Sequence, residues 1–276
     1  RDQGHNIIKL PMYLPLFSHE SDFGKIPVFY GAVSIYLKQM FRLFEHAPAW
    51  VDRLLNSKPI LKLAASQAGS TRAKGLEAMT ISMLMGEKGK QHEELDKMTH
   101  WLKHNFKPDI IHISNALLLG LVHQLKTELN CPVVCTLQDE DVWVDVMSPS
   151  SRDTVWGLMA ERAREVDRFI SVSQYFTGFM MERLQQPVEK FTTLHLGVDP
   201  ADYHFIDAST KPRTIGFLSR MCHANGIDIL ADAFILLKQN PEYADVKLLL
   251  SGGYTGDDKP LRVQPQIVVN YAANFS

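Results

Sequence analysis

The feature that most constrains the fold is a repeated alternation of short apolar strand patterns with amphipathic helix patterns. The segment Asp109-Ile110-Ile111-His112-Ile113 is typical of a short buried strand, and an amphipathic helix pattern follows over 116–129. Strands that alternate with helices form parallel sheets, because a parallel connection has to cross the sheet. The sequence therefore predicts an α/β fold of Rossmann-like units. Further strands are predicted over 132–137, 168–172, 191–194, 214–218 and 246–250, and further helices over 152–166, 174–184 and 226–238.

The N-terminal third is less regular than the rest of the chain. Asn6-Ile7-Ile8-Lys9-Leu10 predicts a strand, 11–27 is irregular, and helical patterns cover 32–63 and 71–105. The chain starts with Arg1 instead of Met, and Gly4 is typical of a glycine that ends a helix. We therefore expect that further sequence precedes Arg1 in the protein.

A polar segment over 199–212 contains two prolines and few apolar residues, and it predicts an interdomain linker. We place an N-terminal domain, without its first strand, at 1–205, and the beginning of a second Rossmann-like domain at 206–276. The strand and helix alternation stops after Gly253, because 257–266 is polar and contains two prolines. The second domain is therefore expected to be incomplete.

Charge and cysteine content exclude several functional classes. The chain has 29 basic and 31 acidic residues, a formal net charge of -2, and no long run of either sign, so a nucleic-acid partner is not expected. The 3 cysteines have no metal-ligand spacing, and neither a signal peptide nor a membrane span is evident. No metal or cofactor is predicted, and a reduced, cytoplasmic protein is expected.

The strongest candidate for an anion site follows the strand at 214–218. Gly216 lies within this strand, Ser219 and Arg220 leave it in a short loop, and Asn225-Gly226 opens the next helix. A guanidinium beside a helix N-terminus suits a pyrophosphate. The alternative is that Arg220 pairs with an acidic neighbour and Asn225 is only a helix cap. The next strand ends in Ser251-Gly252-Gly253, where glycines would admit a ligand or form an ordinary turn.

Polar side chains also follow the strands of the first domain. Gln138 and Asp139 start a cluster that includes Glu140, Asp141 and Trp143, and this composition could hold sugar hydroxyls and a sugar ring. A solvated acidic turn, with the indole in the core, is the favoured alternative. Further candidates lie just past strands in the same way: Asn115, Ser173 and Gln174.

Other patterns favour structural explanations. Dinucleotide, phosphate-loop and nucleophile-elbow motifs are absent from the sequence. His112 within a strand is typical of a satisfied core histidine. An apolar stripe could contact a membrane surface, although a core-facing helix is the favoured explanation. The stripe consists of Ile35, Tyr36, Met40, Phe41 and Phe44.

The ordered set of motifs resembles family 4 glycosyltransferases. The resemblance extends from about Gly4 to Asp258, and no single motif in it is diagnostic. Its pieces are Lys107-Pro108-Asp109-Ile110-Ile111-His112, Pro132-Val133-Val134 with Gln138-Asp139, Phe169-Ile170-Ser171-Val172-Ser173, Gly197-Val198-Asp199, Gly216 to Arg220, and Gly226-Ile227-Asp228-Ile229-Leu230 with Ala233-Phe234.

This resemblance implies a GT-B architecture, a metal-independent retaining reaction, and a UDP- or GDP-linked sugar donor. The first domain would bind a carbohydrate or lipid-linked acceptor, and the second would bind the nucleotide sugar. Arg220 matches the family's diphosphate-binding arginine, and this electrostatic stabilisation of the leaving group is its implied catalytic role. The matched donor side is completed by Gly216, Ser219, Asn225, Gly226, Ser251, Gly252 and Gly253, and the acceptor or sugar side by Asn115, Gln138, Asp139 and Ser173.

Two departures from the family pattern leave other functions open. Asn225 stands where the family has a lysine five residues after the arginine, and Gln138 stands where many members have histidine. The family's glycine-rich loop and paired glutamates fall outside the chain, so the 276 residues alone are expected to be inactive. A non-catalytic nucleotide- or sugar-binding protein is the main alternative, and a nucleotide-sugar epimerase is a third hypothesis that the match at Arg220 and Gly226 disfavours.

Overall fold

The computed structural model describes residues 4–10, 12, 29, 76–204, 207, 209, 211–252 and, for the backbone, 267–271. The described residues form two compact units that divide between Gly197 and Val198. The predicted boundary at 205 lies a few residues further along the chain. The helix predicted over 32–63, with its apolar stripe, and Gly253 lie outside the described residues.

A four-stranded parallel sheet forms the first unit. Its strands follow one another in the order of the chain, and every neighbouring pair is parallel. Because the chain runs in the same direction in each strand, all four carboxyl ends lie at one edge of the sheet. The strands are β1 (Ile111–Ile113), β2 (Val133–Leu137), β3 (Arg168–Ser171) and β4 (Phe191–Thr193).

Six α-helices accompany this sheet in the described part of the first unit. The helix predicted over 116–129 is divided, since its first part, Ala116–Leu121, is a 3-10 helix. Other 3-10 turns cover Gly86–Lys88, Val188–Lys190 and, after the unit boundary, Pro200–Asp202. The α-helices are α1 (Glu77–Leu84), α2 (His92–Asn105), α3 (Val122–Leu129), α4 (Glu140–Val144), α5 (Pro149–Ala163) and α6 (Gln174–Leu184).

One face of the sheet carries the hydrophobic core. Alternate residues of β2 are buried because successive side chains of a strand point to opposite faces. Helix α5 contributes Val155 and Met159 to the same core, and both are fully buried. Burial of a side chain of this size contributes about 1.5–3 kcal/mol. The packing of the sheet against its helices thus fixes the position of the strand ends at the carboxyl edge.

A close approach of backbones ties α1 to the 3-10 helix after β1. A Cβ placed on Gly120 would lie 2.0 Å from the carbonyl oxygen of Met83, and one on Gly86 would lie 2.2 Å from the carbonyl oxygen of Gly120. Gly86 also has a φ of 59°, which favours glycine. Arg162 of α5 donates hydrogen bonds to the Leu84 and Met85 carbonyls at the end of α1.

The second unit is built on a three-stranded parallel sheet, β5 (Thr214–Leu218), β6 (Lys247–Gly252) and β7 (Ile267–Tyr271). Helix α7 (Ile227–Leu237) connects β5 to β6, with 3-10 turns at His223–Asn225 and Pro241–Tyr243. Ile227, Phe234, Leu248 and Leu250 form its core. The carboxyl ends of β5 and β6 therefore lie side by side.

The predicted α/β class with parallel sheets is confirmed, and three local predictions are wrong. Asn6–Leu10 is not a strand, since the only pairing described nearby is the single bridge between Met12 and Phe29. Strand propensity alone is insufficient without a neighbouring strand. The series of parallel strands does not stop at Gly253, because β7 pairs with β6 in parallel; the connection between them lies outside the described residues. His112 is exposed, and its Nε2 lies 2.6 Å from Thr136 Oγ1.

We predict opposite effects for two glycine-to-alanine variants of the first unit. Gly120→Ala should destabilise the protein by about 1–3 kcal/mol, because its methyl group collides with the Met83 carbonyl and the backbones must separate. Gly157→Ala, in the exposed face of α5 with nothing within 4 Å, should be neutral or stabilise by up to about 1 kcal/mol. Urea unfolding followed by circular dichroism checks both, and equal stabilities would contradict the described packing.

Candidate functional site

Part of the anion site predicted in the second unit comes together at the carboxyl ends of β5 and β6, namely Ser219, Arg220, Asn225 and Gly252. Gly216 lies further back, in the middle of β5. The backbone N–H of Ser219 donates to the Ser251 carbonyl over 3.1 Å, which extends the pairing of the two strands by one residue. A Cβ on Gly252 would lie 1.7 Å from the Ser219 carbonyl oxygen. The loop after β5 therefore lies directly against the end of β6, and only glycine fits at position 252.

Asn225 fixes the path of this loop. Its Nδ2 donates to Ser219 Oγ over 2.7 Å and to the Arg220 carbonyl over 3.1 Å. The alternative that Asn225 is the helix cap is wrong, because α7 begins after Gly226, whose φ of 73° turns the chain into the helix. The Asn225 amide acts on the loop and adds no positive charge to the site.

The N-terminus of α7 has no side-chain cap. Gly226 is the N-cap residue and has no side chain to accept from the first N–H groups. The first turn does contain Asp228, whose Oδ2 lies 2.7 Å from His223 Nδ1. The helix end offers backbone donors and a partial positive charge to an anion.

Arg220 is exposed, and its backbone carbonyl is bound to Asn225, the residue before the N-cap of α7. Its guanidinium makes no hydrogen bond or ion pair with any residue that the structure describes, and the predicted pairing with an acidic neighbour is not seen there. Its backbone is held at the carbonyl by Asn225 and by a hydrogen bond from Cys222 N–H. The backbone of Arg220 is therefore fixed while its guanidinium is free of described partners. A guanidinium has five N–H donors in one plane, a geometry that suits a phosphate.

In the first unit, the loops after β1 and β2 are hydrogen-bonded to each other. Asn115 Nδ2 donates to the Gln138 carbonyl over 3.2 Å, and Gln138 Nε2 donates to the Ser114 carbonyl over 3.0 Å. Asn115 Oδ1 also accepts from Leu117 N–H over 2.7 Å, so both polar atoms of this side chain are engaged. The structure thus brings Asn115 and Gln138 together, as parallel pairing of β1 and β2 requires.

The acidic cluster after β2 divides into an exposed and a buried carboxylate. Asp139 is exposed and has a φ of 51°, in the left-handed region that is uncommon for a residue with a side chain. Glu140 is fully buried, so it cannot contact a sugar. Its Oε1 accepts from Ala116 N–H over 2.9 Å and its Oε2 accepts from Gln138 N–H over 2.8 Å.

The other aromatic and hydroxyl candidates of this edge have structural partners. Trp143 is half-buried against the core, and its Nε1 donates to Thr80 Oγ1 over 3.3 Å, which fits the core alternative. Ser173 caps α6, because its Oγ accepts from Phe176 N–H over 3.1 Å. Among the described residues, none accepts a hydrogen bond from the Ser173 hydroxyl. No hydrogen bond between Ser173 and the Asn115–Gln138 pair is described.

Sequence analysis missed one polar residue at this edge. His195 follows β4, is exposed, and has Nδ1 3.1 Å from the Val172 carbonyl after β3. The signal was its position just past a predicted strand end, as for Asn115 and Ser173. Within the described residues, no three His, Cys, Asp or Glu side chains are arranged as metal ligands.

One segment of the chain matches a known protein family. Residues 86–202 match the model of Glycosyltransferase Family 4, which confirms the resemblance over that segment. None of the curated proteins compared matches the sequence. In the part of the chain that the structure describes, no helix is long and apolar enough to cross a membrane.

Several solved structures are similar to this chain. Anabaena HepE in complex with UDP shares 20% identity at a TM-score of 0.47, over 59% of this chain and 44% of HepE. The lipopolysaccharide outer core galactosyltransferase WaaB, in its apo form, shares 12% identity at a TM-score of 0.43, over 66% of this chain and 48% of WaaB. TarM shares 14% identity at a TM-score of 0.44, over 64% of this chain and 36% of TarM. The aligned part spans less than half the length of each of these proteins.

We predict that Gly252→Ala disrupts the strand-end loop of the second unit. The added methyl group would collide with the Ser219 carbonyl, and the φ of 153° disfavours a side chain, so the melting temperature should fall. Gly216→Ala is the matched control, since nothing lies within 4 Å of its Cβ and its φ is ordinary. Differential scanning calorimetry compares the two variants. A Gly252→Ala protein as stable as Gly216→Ala would show that the loop after β5 does not touch the end of β6.

Proposed function

We propose that the protein is a retaining glycosyltransferase that transfers a sugar from a UDP- or GDP-linked donor to a glycolipid or polysaccharide acceptor. The observation that carries this proposal is an exposed Arg220 with no ion pair to a described residue, whose carbonyl is held by Asn225, the residue before the uncapped N-terminus of α7. The match of residues 86–202 to Glycosyltransferase Family 4 supports the reaction class.

The proposed donor site uses the two features to hold a diphosphate. The guanidinium would form a bidentate contact to phosphate oxygens, and the first N–H groups of α7 would donate to the same anion. When the bond from the sugar to the diphosphate breaks, negative charge develops on the leaving oxygen. Donors that are already in place stabilise this charge without reorganisation, so Arg220 has the proposed catalytic role.

Small residues complete the donor site in this proposal. Ser219 and Gly226 belong to the segment between β5 and α7, and Gly216 lies within β5. Ser251 and Gly252 end β6. Ser219 already accepts from Asn225 through Oγ, so its hydroxyl proton is the part that remains for a ligand. Gly253 is proposed to extend this edge and lies outside the described residues.

The first unit is proposed to bind the acceptor or the transferred sugar. Gln138 Oε1 and the Asp139 carboxylate have no hydrogen bond with any described residue, and both are acceptors that suit sugar hydroxyl groups. Asn115 retains one N–H of its amide, and Ser173 retains its hydroxyl proton. We propose that the reaction uses no metal or cofactor. We also propose that it takes place in the cytoplasm and that a lipid-linked acceptor brings the protein to a membrane surface.

Asn225 favours a second candidate, a nucleotide- or sugar-binding protein without turnover. Its amide is engaged by Ser219 Oγ and the Arg220 carbonyl, so one cation that the family resemblance implies at the leaving group is replaced by a neutral loop contact. This candidate predicts nucleotide binding with no hydrolysis or transfer of the donor sugar. A donor-hydrolysis assay with UDP- and GDP-linked sugars on the full-length protein separates the two candidates.

We expect Arg220→Ala to weaken binding of UDP or GDP at least tenfold, about 1.4 kcal/mol, because it removes a charge-assisted contact to the diphosphate. Arg213→Ala is the matched control. It removes the same charge from the opposite end of β5, where Arg213 pairs with Asp245 at 3.5 Å. Isothermal titration calorimetry of the full-length protein measures both variants.

The affinity of Arg213→Ala should stay within about twofold of the original, a change of no more than about 0.4 kcal/mol. Equal losses in the two variants would mean that only the overall charge of the unit matters. Unchanged affinity in Arg220→Ala would remove the basis of the proposed donor site.

A further inference from the structure

The carboxylate of Glu140 is an unusual group to find at the end of β2. It is fully buried, although its neighbour Asp139 is exposed. Charged side chains are almost never fully buried unless they are paired. No cation pairs with Glu140 among the described residues, and its partners are two backbone N–H groups, those of Ala116 and Gln138.

These two contacts join the ends of neighbouring strands. Ala116 begins the 3-10 helix after β1, and Gln138 is the first residue after β2. Each carboxylate oxygen takes one of the two N–H groups, at 2.9 Å and 2.8 Å. The Glu140 side chain thus joins the two loops from within the core, in addition to the direct hydrogen bonds between Asn115, Gln138 and the backbone.

The burial of the Glu140 carboxylate indicates a role other than stabilisation of the fold. Burial raises the pKa of Glu140, while the N–H groups of Ala116 and Gln138 lower it, and the net direction is upward. A carboxyl group with a raised pKa in the folded protein stabilises the fold fully below its unfolded pKa and loses this contribution as pH rises through its folded pKa. Above that pKa the ionised carboxylate is less stable in the fold than in the unfolded chain, and the geometry that it fixes is what it contributes.

We propose that Glu140 is a positioning residue, whose buried carboxylate fixes the Asn115 and Gln138 loops through two backbone N–H groups and so sets the geometry of the sugar-binding edge. The inference rests on the proposed function for its ligand, and on the described contacts for its mechanism. The backbone of Asp139 belongs to the same arrangement. It adopts a φ of 51° between Gln138 and Glu140, and the Glu140 carboxylate accepts from the N–H of Gln138, two residues earlier.

Substitution of Glu140 by glutamine tests this proposal. Glu140→Gln keeps the size of the side chain but replaces one accepting oxygen with an NH2 group, so one of the two backbone N–H groups loses its partner. Hydrogen exchange in the full-length protein, read by NMR, should accelerate at least tenfold at Ala116 or Gln138 N–H. The turnover number for hydrolysis of UDP- or GDP-linked sugars should fall at least tenfold, with the dissociation constant of UDP or GDP unchanged.

Two control variants separate positioning from loss of stability or charge. Val155→Ala removes part of a fully buried side chain from α5 and should lower the melting temperature without selective acceleration of the Ala116 and Gln138 exchange. Glu161→Gln removes an exposed carboxylate from the same helix and should change neither exchange rate.

The outcomes distinguish the inference from the function on which it rests. Unchanged exchange at both N–H groups in Glu140→Gln, or accelerated exchange with an unchanged turnover number, would overturn the positioning role. If the unsubstituted protein hydrolyses no donor, the proposed transferase function fails by that result. The exchange rates then still decide the inference: selective acceleration supports the role of Glu140 in holding the two loops, and its absence refutes it.

Discussion

Parallel pairing of neighbouring strands is the constraint on which both candidate sites depend. In each unit the register places consecutive strand ends side by side, Leu137 beside Ser171 in the first and Leu218 beside Ser251 in the second. Loops that are distant in sequence therefore meet at one edge, and helices begin there with their N–H groups directed outward. Gly252 shows how tight this meeting is, since its position admits no side chain.

The two edges are built for different chemistry. In the second unit the Asn225 amide holds the loop backbone and leaves the Arg220 guanidinium free, so the edge presents positive charge. In the first unit the buried Glu140 carboxylate holds two backbone N–H groups and leaves the acceptor atoms of Gln138 and Asp139 outward. Each edge thus has one side chain that is used to hold its loops and others that remain available to a ligand.

Periodicity predicted the elements whose environment is regular. Helix α6 and strand β5 have the bounds that the pattern indicates: α6 buries Met180 and Leu184, and alternate residues of β5 are half-buried. The division of 116–129 into a 3-10 and an α-helical part was not predictable, since it accompanies a contact of Gly120 with Met83, far away in sequence. The predicted strand at Asn6–Leu10 failed for a related reason, because strands need partners that local sequence does not specify.

The candidate sites were predictable in position and only partly in role. Strand ends located Arg220, Asn225, Asn115 and Gln138, because parallel sheets bring these ends together. Composition grouped Glu140 with Asp139 as sugar ligands, yet the left-handed backbone at Asp139 accompanies opposite environments for the two carboxylates, one exposed and one buried. The backbone conformation of a single residue leaves no trace in the hydrophobic periodicity of the sequence. The contacts of Glu140 with the two loops were therefore visible only in the structure.

The most direct test of the account is to locate the nucleotide on the protein. A titration of the isotopically labelled full-length protein with UDP or GDP, followed by NMR, should shift the backbone N–H signals of Gly226, Ile227 and Ser219 and the side-chain signal of Arg220. Saturable shifts at these positions are the predicted result. Shifts confined to other parts of the chain, or none at millimolar nucleotide, would contradict a diphosphate site at the start of α7.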